Sequence, residues 1–93
     1  MAEPKIVRTV QHREKGLGHV GYVQRRTNAS MERFGGRRFA SWARRTLDGA
    51  ETGTPERFET YDTATEAEAH ASYAAGRATP GVRELLTKGG RIP

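Results

Sequence analysis

The sequence predicts an α+β fold, in which an antiparallel sheet of three or four strands is packed on one face by a single Ala-rich helix. Two observations predict it. Several segments in the first two thirds of the chain alternate apolar and polar side chains with a period of two, as strands do. A segment with alanines at helical spacing and a clear start signal then follows, at residues 63–76.

Strand patterns recur along the chain, at residues 5–13, 20–27, 37–47 and 56–62. Neither face of the first segment is strongly apolar, so we expect an edge strand there. Glycines between the first two segments predict a turn, while the polar, Gly-rich and Pro-containing residues 48–55 predict an exposed loop. In the remaining connection, Met31 and Phe34 lie three residues apart and predict a short helical turn anchored on the sheet.

The helix has the clearest start signal in the sequence. Thr63 and Glu66 form a capping box, in which the Thr hydroxyl accepts from the backbone of Glu66 and the Glu carboxylate reaches back to the cap. One stripe of the helix is built from alanine, at Ala64, Ala67, Ala71, Ala74 and Ala75. Such a stripe lets the helix approach the sheet closely, and Gly76 is placed to end it. Thr79 and Pro80 then predict the start of a short C-terminal helix.

Length and composition indicate a single small basic domain over residues 1–93, with an ordered centre at about 5–88 and loose termini. Leu, Ile, Val and Phe supply only 14 of the 93 residues, so the core must be thin. The net charge of +5 is unevenly placed: the balance is +8 over residues 1–47 and −3 over residues 48–93. A basic half on a mixed protein indicates an anionic partner, of which nucleic acid is the commonest.

Several functional classes lack the residues that they need. The chain has no Cys, which excludes disulfides, thiolate metal sites and cysteine nucleophiles. The three His residues do not have metal-ligand spacing, and no Ser lies in a nucleophile elbow, so we expect no metal, no cofactor and no enzyme. Residues 16–21 match G-x-G-x-x-G but run into a strand pattern, which predicts hairpin glycines and not a dinucleotide site. No apolar run is long enough to span a membrane, and a cytoplasmic location is expected.

The main functional candidate is the segment at residues 37–45, which contains the only Trp. Strand alternation places Phe39, Ser41 and Ala43 on one side, which can face a core. It places Trp42 on the other side, between Arg38 and Arg44. Aromatic and Arg side chains on an open sheet face can contact phosphates or stack on bases. The alternative, that Trp42 is a core residue with the arginines around it, remains open at this point.

We therefore predict a non-catalytic nucleic-acid-binding module, with double-stranded DNA favoured, in the setting of a phage or a mobile element. The predicted binding residues are Tyr22, Arg26, Arg38, Trp42, Arg44 and Arg57. Two alternatives remain: an adaptor or inhibitor that docks on an acidic protein surface, and a homodimer whose second copy completes the core. None of these predictions involves a membrane.

The order of strands and helix, with Phe58-x-Thr60 leading into residues 65–69, resembles the AP2-like modules at the N-terminus of phage and mobile-element integrases. The resemblance covers about residues 20–76. It implies that the open sheet face lies in the DNA major groove, through Tyr22, Arg38, Trp42, Arg44, Arg57 and Glu59. The long predicted loop and the extra first strand depart from that pattern. A weaker resemblance, through Trp42, Ala43 and Arg44, is to the WGR domain, another module associated with DNA.

Overall fold

The computed structural model describes residues 3–12 and 16–77. The elements in chain order are β1 (Lys5–Gln11), β2 (Leu17–Arg25), α1 (Asn28–Phe34), β3 (Phe39–Leu47), β4 (Ala50–Tyr61) and α2 (Ala64–Arg77). The strands form one antiparallel sheet in the order β1-β2-β3-β4, and α2 packs on one face of it. The predicted α+β fold is confirmed. The C-terminal helix predicted from Thr79 lies outside the described residues.

The sheet is organised by the two central strands. β2 and β3 pair without interruption from Leu17 opposite Leu47 to Arg25 opposite Phe39. Because neighbouring residues of a strand point to opposite faces, this register assigns every side chain of β2 and β3 to a side. The side that carries Gly21 and Ala43 faces α2, and the other side does not.

Helix α2 lies close to the sheet because small residues meet at the contact. Four of the five alanines of the predicted stripe are fully covered, at Ala67, Ala71, Ala74 and Ala75, while Ala64 is half-buried. Opposite the stripe, a Cβ added to Gly21 would collide with the backbone carbonyl of Ala71. The first bond of the predicted capping box is confirmed, with the Glu66 N–H donating to Thr63 Oγ1 at 3.2 Å. The Glu66 carboxylate accepts from the Thr63 hydroxyl, and not from the backbone N–H that the capping box predicts.

The connection between β3 and β4 corrects the predicted loop at residues 48–55. Asp48 and Gly49 alone form the turn, with φ of 52° and 85°, which is the geometry of a two-residue hairpin. Strand pairing resumes immediately, with Ala50 opposite Leu47. The glycine and proline beyond the turn are accommodated within β4, where the register with β3 shifts twice. The residues that suggested an exposed loop are therefore part of an irregular edge strand.

Helix α1 also differs from its prediction. The Thr27 side chain caps it by accepting from the Ser30 N–H at 3.0 Å, and Gly35 ends it with a φ of 73°. The expected anchoring of Phe34 on the sheet is wrong, because 75% of that side chain is exposed. Seven residues with no buried side chain form a helix that projects beside the sheet and does not cover it.

Candidate functional site

The face of the sheet opposite α2 carries a row of three aromatic rings. Tyr22 on β2, Trp42 on β3 and Phe58 on β4 stand side by side across the strands. The ring centres of Tyr22 and Trp42 are 5.7 Å apart, with 28° between the ring planes. Those of Trp42 and Phe58 are 5.9 Å apart, with 26° between the planes. These are offset-stacked arrangements, which fix each ring against its neighbour.

The two alternatives for Trp42 are both partly correct. Trp42 points away from α2, because its neighbour Ala43 packs against Ala74 on the other side. It is nevertheless only 8% exposed, since Tyr22 and Phe58 flank it. The indole is thus the apolar centre of the second face, and little of it is available to a partner. The neighbouring ring of Phe58 is 54% exposed and is available.

Arg44 lies beside this row, but its charge is balanced within the fold. Its guanidinium donates to Glu51 Oε1 at 3.0 Å and to the Gly53 carbonyl at 2.8 Å. The Tyr22 hydroxyl donates to the other oxygen of the same carboxylate. Burial and the interaction with Glu51 raise the pKa of Tyr22 to about 12, against an opposing effect of Arg44. Glu51 therefore accepts hydrogen bonds from both Tyr22 and Arg44 next to Trp42.

Arg26 and Arg38 meet at the other end of the same face, near α1. The Arg26 guanidinium donates to the Arg37 carbonyl at 3.0 Å and to the backbone and side-chain oxygens of Ser30, both at 3.2 Å. Arg38 donates to the Arg26 carbonyl at 3.1 Å. All these acceptors are neutral, so none of them offsets the positive charge of the two arginines. The bonds from Arg26 to Ser30 also hold α1 in place.

Arg57 does not join the other predicted residues. It lies on β4 with a φ of 54°, at an irregular point of the strand, beside Phe58. Its charge acts on His70 of α2: burial lowers the pKa of His70, Arg57 lowers it further, and Glu59 opposes the shift. Arg57 and Glu59 therefore lie towards the α2 side, away from Trp42. The structure brings Tyr22, Trp42 and Arg44 together at one place and Arg26 and Arg38 at another.

The charge of the chain divides in the same way. Residues 25–38 carry five Arg and a single acid, Glu32, whereas residues 44–57 carry three Arg and three acids. Among the described residues, no carboxylate lies within ion-pair distance of Arg25, Arg26, Arg33 or Arg38. Arg37 has one exposed partner, Asp62, at 3.9 Å. Arg8, Arg57 and Arg77 also lack a carboxylate partner, so four of the seven described arginines without one lie at residues 25–38.

A groove opens on the same face between α1 and the aromatic row. Its volume is about 610 Å³. Residues of β2, β3 and β4 line it, together with the end of α1 and a glycine that follows it. They are Gln24, Ala40, Phe58, Thr60, Phe34 and Gly36. Arg25 and Arg26 also line it. The groove thus joins two exposed aromatic side chains to the uncompensated arginines.

Sequence reasoning missed Phe34 as a binding candidate, and it did not single out Phe58 or Gly36. Strand alternation did place Phe58 on one face with Thr60, but only the pairing of β4 with β3 puts that face beside Trp42. For Phe34 the available signal was its spacing of three from Met31, which predicted contact with the sheet and not exposure.

The side of the sheet under α2 contains polar groups that could suggest chemistry. Ser41 Oγ and His70 Nδ1 are 2.5 Å apart, but Ser41 is fully buried, so its hydroxyl is inaccessible to a substrate. His12 Nε2 and His19 Nδ1 are 2.6 Å apart, and His19 Nε2 lies 3.5 Å from Glu56. Within residues 3–12 and 16–77, no three potential ligands are arranged to hold a metal ion. Of these contacts, the one between Ser41 and His70 joins the sheet to α2.

No helix among the described residues is both long and apolar enough to cross a membrane. Comparison of the chain with models of known families, with curated proteins and with solved structures finds no match. The AP2-like and WGR-like resemblances therefore stay predictions.

Proposed function

We propose that this chain is a nucleic-acid-binding module without catalytic activity, which contacts the phosphate backbone through the arginines around α1. Duplex DNA is the first ligand to test. The observation that carries the proposal is that three arginines around α1 have no carboxylate partner among the described residues: Arg26, Arg33 and Arg38. They flank a face that α2 leaves uncovered.

The distinction between compensated and uncompensated arginines favours this end of the sheet. Arg44 and Arg45 are each within ion-pair distance of a carboxylate, Glu51 and Glu56. A phosphate that approached them would have to compete with a fixed carboxylate. Around α1 a phosphate meets guanidinium groups whose other contacts are carbonyls and hydroxyls, so it adds a charge-assisted bond and displaces none. The proposed interface is therefore shifted from the Trp42 segment towards α1.

Binding of a short labelled duplex should be measured by fluorescence anisotropy between about 50 and 200 mM salt. The test variant is Arg33→Gln, and the matched control is Arg77→Gln, which removes the same charge on α2 and likewise lies over a neighbouring aromatic ring. Both side chains are exposed, so both variants should fold normally. The test variant should bind more weakly, and its slope of log affinity against log salt should shrink by about 1.

Equal weakening in the two variants would mean that net charge alone drives binding, and would contradict the proposed interface. Poly-glutamate serves as a competitor that represents an acidic protein surface. If it displaces the duplex as well as unlabelled DNA does at equal charge, the interface does not distinguish nucleic acid from an acidic protein surface, which would contradict the proposal. Absence of duplex binding at low salt would overturn the proposal outright.

A further inference from the structure

We propose that the groove between Phe34 and Phe58 binds one unpaired nucleotide of a nucleic-acid strand, with its base against the aromatic side chains and its phosphate towards the arginines. This inference rests on the proposed function and names what its interface recognises. The arginines around α1 would hold the backbone of a duplex, and the groove would take a base at a duplex end or junction.

The first argument is the exposure of two aromatic side chains at one place. Phe34 is 75% and Phe58 is 54% exposed, although the core of this chain is thin and burial of either would stabilise it. Both line the groove. Phe58 is held in position by stacking on Trp42, which is itself enclosed, so the ring is a fixed platform. Aromatic platforms of this kind stack bases without regard to sequence.

The second argument is the charge at the wall of the groove. The Arg26 guanidinium lines it and is oriented by neutral acceptors on Ser30 and Arg37. The Arg33 guanidinium lies over the Phe34 ring, 5.3 Å from its centre. A ligand that touches the aromatic side chains therefore also meets positive charge. A nucleotide combines a flat π-face with a fixed negative charge, whereas an apolar peptide side chain offers only the first of these.

The third argument is the shape of the groove. Its volume of about 610 Å³ lies within the range of about 300–1,000 Å³ that small-molecule sites have, and so suffices for a nucleotide. Gly36 lies at the wall of the groove, where a side chain would collide with the Arg26 guanidinium and crowd Thr60. A base that is paired and stacked within a duplex hides both faces, so only an unpaired base can enter.

The test compares two labelled duplexes of equal length, one blunt and one with a short single-stranded overhang. Wild-type protein should bind the overhang duplex more tightly. Phe34→Ala should lose about 5- to 100-fold affinity for the overhang duplex, as the removal of one base-stacking aromatic does. Its affinity for the blunt duplex should stay within about 2-fold, because that duplex needs only the arginines. Thermal unfolding should confirm that the variant folds, which its exposure predicts.

Tyr73→Ala is the matched control, because Tyr73 is also an exposed aromatic, 54% exposed, and lies on α2 next to Arg77. It should bind both duplexes as the wild type does. A 2-aminopurine base in the overhang gives a direct signal: stacking should change its fluorescence on binding to the wild type and not to Phe34→Ala.

The inference fails if wild type does not distinguish the two duplexes, or if Phe34→Ala weakens both equally. In either case retained blunt-duplex binding leaves the proposed function standing. Competition by free adenosine monophosphate as strong as that of the overhang strand would show a mononucleotide site, which also overturns the inference. A wild-type protein that binds neither duplex removes both proposals.

Discussion

At the scale of single residues, the fold places polar side chains where a larger protein would have apolar ones. The largest fully buried side chains among the described residues are His19 and Ser41, both on the side of the sheet that faces α2. Ser41 bonds to His70 of α2, which is half-buried. The ring centres of His70 and Tyr61 are 5.3 Å apart. Because burial disfavours the charged imidazole, this histidine makes the fold sensitive to acid.

We expect the free energy of unfolding to fall in acid in part because of His70. Burial and Arg57 lower the pKa of His70 from 6.5, with Glu59 opposing. The unfolded chain therefore binds the proton more readily, so the stability present above about pH 6.5 declines as the pH drops below that value. In His70→Asn, where the amide can still bond to Ser41, urea unfolding should depend less on pH between about 7.5 and 5. Identical pH dependence in both proteins would contradict the assignment.

At the scale of elements, the contact between α2 and the sheet depends on small residues. Four buried alanines face a surface that includes Gly21 and Ala43, and this allows the helix backbone to approach the strands closely. Each alanine buries little area, so the contact obtains its stability from closeness and not from large side chains. The narrow space between α2 and the sheet therefore limits the size of the side chains that this contact can accept.

We expect Ala74→Leu to destabilise the protein by about 1–3 kcal/mol, since the longer side chain would force α2 away from Ala43. Ala69→Leu is the control on the same helix. Ala69 is exposed, and Leu has nearly the helix propensity of Ala, so this change should be nearly neutral. Chemical denaturation of both variants measures the difference. Equal stabilities would mean that α2 can shift freely on the sheet.

At the scale of the whole molecule, two apolar layers stabilise the domain on opposite sides of one sheet. The layer on the α2 side is made of alanines, Val23 and polar groups, while the opposite layer centres on Trp42. Because Trp42 is 8% exposed and contacts two rings, it contributes the largest apolar side chain that the described residues bury. The face proposed to bind nucleic acid is therefore also one that the fold needs.

We expect Trp42→Ala to cost about 3–5 kcal/mol, which is a large fraction of the stability of a small domain. Phe34→Ala, at a side chain that is 75% exposed, should cost much less. Urea unfolding followed by far-UV circular dichroism measures both. If Trp42→Ala unfolds like the wild type, the aromatic row is not part of the core.

Local rules predicted much of the fold. Alternation in residues 37–47 correctly separated Ser41 and Ala43 from Trp42, and the capping box located the start of α2. These rules failed where the composition of a segment predicted a loop but the segment pairs with a neighbouring strand. Residues 50–55 have the glycines and proline of a loop, yet the two-residue turn at Asp48 and Gly49 brings them back against β3 as a strand.

The sequence by itself determined the α+β class, the two sides of the central strand, the alanine face of α2 and the excess of positive charge before residue 48, because these follow from local periodicity and composition. Only the tertiary structure decided that Phe58 stacks on Trp42, that Glu51 neutralises Arg44, and that Phe34 faces a groove beside unpaired arginines. The physical reason is that strand register and the position of α1 depend on turns and contacts between distant segments. No local pattern specifies which side chains these contacts bring together.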